Sequence, residues 1–218
     1  MISQQITLLL ISLILMTSFL MLMQSRIFNL VKLLIWQNIL LAIYLTLQLF
    51  YAVSLELIIS LSITFLVKII LLPWLLWRLV SYLHLSGRID PLINKPLLMF
   101  TGILLTAFAF IISYQIKALI GDQAVISFSL SLANTLLAVL LIMFRKKAIS
   151  QVIGLLVIEN SMFLLSITLT NGFPWVVELG IGFDILIGFM IFALFLIRIR
   201  TTHGSLEMRH LEKLKETV

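Results

Sequence analysis

Long apolar runs follow one another along the chain with only short polar breaks between them. Crossing about 30 Å of hydrocarbon takes about 20 apolar residues in a helix. The runs predict seven spans: Gln5–Met23, Leu30–Tyr51, Leu55–Trp77, Leu97–Ile116, Val125–Phe144, Ile149–Leu169 and Trp175–Ile197. They are continuously apolar rather than alternating, so the pattern predicts helices and not a membrane barrel. The first run lacks a positive start and a small-residue cleavage site, and reads as a retained helix rather than a signal peptide. The expected architecture is an all-α, polytopic membrane domain over residues 1–218.

Composition agrees: 62% of residues are hydrophobic and 11% are charged, which places the chain in the membrane class. The positive residues gather at alternate span ends: Arg26 and Lys32; Arg78, Arg88 and Lys95; Arg145, Lys146 and Lys147; Arg198 and Arg200. The positive-inside rule then puts the N-terminus outside and the C-terminus in the cytoplasm. Lys117, beside Asp122 on a short outer loop, is the exception. The net charge of +6 is therefore a topology signal and not a nucleic-acid signal. The chain has no cysteine, which excludes disulfides, iron–sulfur ligation and thiol catalysis.

Shifting the sequence by 122 residues aligns Leu33-Leu34 with Leu155-Leu156, Gln37-Asn38 with Glu159-Asn160, Thr46-Leu47 with Thr168-Leu169, Glu56-Leu57 with Glu178-Leu179, and Arg78 with Arg200. Leucine-rich helices match by chance, so the polar matches carry the weight. Spans one to three then correspond to spans five to seven. The fourth span restores their orientation, giving parallel repeats of a kind known in transporters. The units run 1–81, 97–117 as the linking helix, and 123–200, with 201–218 as a cytoplasmic tail.

A few charges lie deep inside this apolar frame. A charge at the bilayer centre costs roughly 2.5–3.5 kcal/mol on insertion scales, so it rarely persists without a use or a partner. On span three, Glu56, Ser60, Thr64 and Lys68 step by four and share one helix face over about 18 Å. Pro73, just beyond, cannot bond to the carbonyl of Ile69. This stripe reads either as a half-path for a proton or as a seam joining helices. On span seven, Gly180, Asp184 and Gly188 also step by four, which turns Asp184 toward a close helix contact. Asp184 and Glu159 both lie about 15 Å along their spans. If the helices face each other, the two carboxylates share one proton. Asn160, Gln37 and Asn38 add neutral polar groups near that level, as a water chain or as locks between helices. Glu56 and Glu178 lie nearer the outer surface, as entrance groups or as carboxylates at helix starts.

The rest of the chain offers little chemistry. Ser127, Ser131 and Asn134 read as packing. Nine methionines and fifteen phenylalanines fill the membrane, Trp36 lies mid-span, and Trp77 and Trp175 fit the interfacial belt. His84, His203 and His210 lack ligand spacing with one another, so no metal site is expected. No phosphate loop, nucleophile elbow or zinc motif occurs, and no catalytic residue is assigned.

The stretches Val152–Asn160 and Val177–Asp184, the ending Thr202-His203-Gly204-Ser205-Leu206-Glu207, and Phe65–Pro73 together resemble the component E family of hydrogenase-4. Spans five to seven also resemble the K-type subunit of complex I and the C-type subunit of multisubunit cation/proton antiporters. In the K-type subunit the glutamate directly follows an Ile-Gly-Leu start. Here Leu156 holds that place and Glu159 comes about one turn later. Asp184 precedes Ile187-Gly188 by three residues, as the later acid of that family precedes its Ile-Gly pair.

The resemblance implies a non-redox membrane-arm subunit of a complex I-like, proton-pumping [NiFe]-hydrogenase assembly of the formate hydrogenlyase type. It implies a bacterial or archaeal inner membrane, with antiporter-like and soluble subunits as partners. This chain binds no cofactor; the nickel–iron centre and iron–sulfur clusters lie in those partners. Glu159 and Asp184 carry protons, Lys68 tunes them or forms a parallel branch, and Glu56 and Glu178 lie outward. A subunit of a cation/proton antiporter, a stand-alone secondary transporter and a purely structural scaffold are the alternatives.

Overall fold

The computed structural model describes residues 2–51, 58, 61–62, 64–82, 94–121, 124–145, 147–170 and 188. Helices α1 (Ile2–Met23) and α2 (Ile27–Tyr51) form an antiparallel hairpin over a three-residue link. A wide π-helical segment, Thr64–Leu71, leads into α3 (Leu72–Tyr82). Then come α4 (Lys95–Gln115), the short α5 (Lys117–Ile120), α6 (Val125–Met143) and α7 (Ala148–Thr170). Among the described residues all regular structure is helical, and five helices (α1, α2, α4, α6 and α7) are long and apolar enough to cross a membrane. That build is compatible with a multi-pass membrane protein.

The helix boundaries follow local chemistry. Pro96 lies in the first turn of α4, where its missing N–H costs nothing. Gly121 ends α5 with φ +88°, a conformation that favours glycine. The third predicted span is not a uniform helix. Its backbone opens into the π segment around Lys68, which runs without a break into the helix that carries Pro73. That helix also runs to Tyr82, past the expected end at Trp77. The seventh predicted span, Trp175–Ile197, lies outside the described residues apart from Gly188.

The α1–α2 hairpin packs against the α6–α7 hairpin, α1 against α6 and α2 against α7. The π segment and α3 lie along α2, and α4 lies against α6 and α1. Residues 122 positions apart meet or match: the Asn160 amide donates to Asn38 Oδ1 at 2.6 Å. Thr46 and Thr168 each donate their hydroxyl to the carbonyl four residues back, Ala42 and Leu164. Close approach of α6 and α7 depends on Gly154, where an added Cβ would stand 2.5 Å from Ile142 Cγ1.

The apolar interior is divided in two. One cluster joins Met21 and Leu22 of α1, Leu30 and Leu34 of α2, Leu76 of α3, Leu137 and Leu141 of α6, and Ile153 and Leu156 of α7. The other joins Ile11 and Ile14, Leu41 and Tyr44, Leu130, and Phe163 and Leu164. Between them every one of the four hairpin helices contributes buried polar side chains: Thr17 and Ser18, Gln37 and Asn38, Asn134, and Glu159, Asn160 and Ser161. The bundle therefore holds one polar layer between two apolar ones. Outward faces carry large apolar groups, among them Trp36, which is 61% exposed. Such a surface suits lipid and not water.

Candidate functional site

The layer is organised by two hydrogen-bond chains and one ion pair. In the first chain Gln37 Nε2 donates to Ser18 Oγ at 3.0 Å, and Ser18 Oγ donates to Asn134 Oδ1. Asn134 Nδ2 then donates to Ser161 Oγ at 2.6 Å, and Ser161 Oγ to the Val157 carbonyl. Each hydroxyl accepts once and donates once, so the bonds all run one way and polarise one another. This chain ties α2, α1, α6 and α7 together. In the second, Asn160 donates to Asn38, and Asn38 Nδ2 donates to the Lys68 carbonyl at 2.6 Å. It ties α7 and α2 to the π turn. A π turn displaces backbone carbonyls from their usual partners, and the Asn38 amide reaches one of them.

At the junction of α2, α7 and the π turn, Lys68 Nζ lies 2.9 Å from Glu159 Oε1. The two residues are 3% and 6% exposed. Glu159 follows the α7 sequence Val157-Ile158, and Phe163 stands one turn further along the same face. The Lys68 ammonium sits 5.0 Å from the centre of the Phe163 ring, a cation–π distance. The ammonium is thus held between a carboxylate and an aromatic face. Among the described residues it makes no well-aligned hydrogen bond, so its contact with Glu159 is an ion pair without a directed bond.

Burying two charges costs several kcal/mol per ion, and their attraction offsets this only in good geometry. Such a pair has to be enforced by the surrounding fold. Here the enforcement is visible, because Asn38 clamps the Lys68 backbone while Asn160, adjacent to Glu159, clamps Asn38. Thr64, one step earlier on the Lys68 face, is also buried. A lateral groove of about 660 Å³ opens between α2 and the third span. Apolar side chains such as Ile43, Phe65 and Leu66 line most of it, and neither Lys68 nor Glu159 does.

The structure thus brings together Lys68, Glu159, Asn38 and Asn160, with Gln37 in the neighbouring chain. Glu56, Ser60, Glu178, Gly180 and Asp184 lie outside the described residues, so the expected pairing of Asp184 with Glu159 lies outside them too. Among the described residues the neighbour of Glu159 is a cation and not a second carboxylate. Gly188 is helical and exposed, and an added Cβ there meets nothing within 4 Å.

Ser18 and Phe163 escaped the sequence reading because a lone hydroxyl and a lone ring in apolar helices carry no pattern. The burial of Arg145 also carried no signal in the sequence. The residue stands at a basic span end with Lys146 and Lys147, and it is 1% exposed. Its guanidinium donates to the carbonyls of Met21 and Leu22 at 2.7 and 3.0 Å. The last turn of α1 contains no basic residue of its own, and a cation at its open carbonyls is favoured by the helix dipole.

No family profile and no solved structure matches the chain. A protein of Mycobacterium tuberculosis described as uncharacterized protein Rv0085 is 28% identical over 189 residues, covering 85% of this chain and 85% of that protein. The similarity extends through most of both lengths.

Proposed function

We propose that this chain is a membrane-arm subunit of a complex I-like hydrogenase assembly and contributes an intramembrane polar axis for proton translocation. The carrying observation is the Lys68–Glu159 ion pair, buried in the polar layer between two apolar cores. Side chains of this type inside a membrane mark ion pathways and relays more often than they mark packing. Glu159 supplies the proton-accepting oxygen and Lys68 the compensating charge. The two amide chains hold α1, α2, α6 and α7 in register around them. The axis runs across the bundle rather than along one helix, which is the direction in which charge passes between neighbouring membrane subunits.

In this reading the chain has seven membrane helices, its N-terminus outside and its C-terminus in the cytoplasm. It comprises two parallel three-helix repeats joined by α4. The bond between Asn38 and Asn160, residues that the 122-residue shift pairs, supports the duplication. Asp184, Glu178 and Glu56 continue the axis, and partner subunits hold the nickel–iron and iron–sulfur centres.

The amide chains alone would serve a structural scaffold equally well, so the test has to separate carriage from assembly. Glu159→Gln should leave the complex assembled and electron transfer running while proton translocation is lost. Normal translocation in an assembled Glu159→Gln complex would refute the proposal and leave the scaffold.

A further inference from the structure

A buried carboxylate in a membrane can serve protons or sodium ions, because both bind carboxylate oxygen. The immediate surroundings of Glu159 distinguish the two. Its Oε1 faces the Lys68 ammonium at 2.9 Å, so a positive charge already occupies the position a metal cation would take. The Asn38 amide holds the Lys68 backbone carbonyl at 2.6 Å and so fixes the root of the side chain beside Glu159. Beyond the ammonium lies the Phe163 ring, with its centre 5.0 Å away. Sodium, as a hard cation, needs a shell of oxygen ligands, and an aromatic face supplies none. The nearby Asn38 oxygen is engaged by the Asn160 amide.

The sequence adds an independent observation. Under the 122-residue shift, Glu159 corresponds to Gln37 and Lys68 to Met190. The shift thus maps the pair onto two neutral residues, one in each half, so neither charge is repeated.

We infer that Lys68 is a tethered cation that makes the Glu159 site selective for protons and bars sodium from it. This deepens the proposed function and rests on it only for the direction of transport. In the cycle a proton from water joins Glu159 Oε1, the ion pair is released, and the ammonium stays charged against the Phe163 ring. Loss of that proton restores the pair. A sodium ion could enter only by displacing an ammonium that has nowhere in the apolar layers to go.

The experiment measures ²²Na⁺ bound to the purified, intact complex and, separately, the ion gradient it builds in inverted membrane vesicles. Wild type should bind no Glu159-dependent sodium. Its gradient should be unchanged when sodium is replaced by potassium, and should collapse with a protonophore. Lys68→Gln exchanges the ammonium for an amide oxygen and should gain sodium binding that Lys68→Gln/Glu159→Gln lacks. Glu159-dependent sodium binding in wild type would overturn the inference. So would a sodium-dependent wild-type gradient, or an assembled Lys68→Gln complex that binds no sodium. If Lys68→Gln fails to assemble, the wild-type measurements decide alone. Failure of the proposed function shows differently, as normal translocation by Glu159→Gln, whatever the sodium result.

Discussion

Removing one partner of the Lys68–Glu159 pair should destabilise the protein far more than removing both. At 2.9 Å and an effective dielectric of about 20, two unit charges attract by about 6 kcal/mol. Loss of one partner from a buried pair costs about 3–5 kcal/mol, because the other charge is left uncompensated. Lys68→Met and Glu159→Gln should therefore each cost about that much. The double variant recreates the neutral combination, Met190 and Gln37, onto which the 122-residue shift maps the pair. It should cost only about 1–3 kcal/mol, the scale of one buried amide left short of a partner. The coupling energy is then at least about 3 kcal/mol, near the upper end seen for contacting residues.

Denaturant titration of the purified chain in mixed micelles, followed by the fluorescence of its four tryptophans, measures all four corners of the cycle. A coupling below about 1 kcal/mol, the scale of solvent-exposed pairs, would refute the reasoning, since the two charges would then not meet in a dry interior. The double variant also separates stability from function. It should fold better than either single variant and still fail to translocate protons, because no carboxylate remains.

Other predictions follow from the packing. Gly154→Ala places a methyl 2.5 Å from Ile142 Cγ1, with backbone atoms close behind, whereas Gly102→Ala meets the far ends of the Phe19, Leu137 and Leu22 side chains. The first should cost about 1–3 kcal/mol by overpacking and the second clearly less, in the same titration. Arg145→Met removes two charge-assisted bonds from the end of α1 and should cost about 2–3 kcal/mol, with early proteolysis at the α1–α2 link as the local readout. Asn160→Leu leaves Asn38 without its donor and should cost about 1 kcal/mol, typical of interhelical bonds in membranes, while slowing translocation through a loosened Lys68. Trp36→Phe, on the exposed face, should stay within about 0.5 kcal/mol of wild type.

The sequence by itself determined the helical class and most of the described spans. Uninterrupted apolar runs in a chain this long leave the backbone no other way to bond itself. It also singled out Lys68, Glu159, Asn38 and Asn160, because charged and amide groups are costly in such runs wherever they point. The 122-residue match flagged Asn38 and Asn160 as equivalents, and nothing in one dimension could say that they touch.

Tertiary structure decided the partners. A carboxylate on α7 can face any helix, and periodicity fixes its face on α7 but not which neighbour packs there. That choice set Lys68 against Glu159, with Phe163 behind. Arg145 shows the same limit from the other side. Its place in a basic loop was legible, but its burial depended on where α1 ends, a fact held 123 residues away from it at Leu22. The π turn at Lys68 belongs to both levels. Pro73 marks the disturbance in sequence, while the Asn38 amide that reaches the displaced carbonyl arrives only when α2 packs alongside.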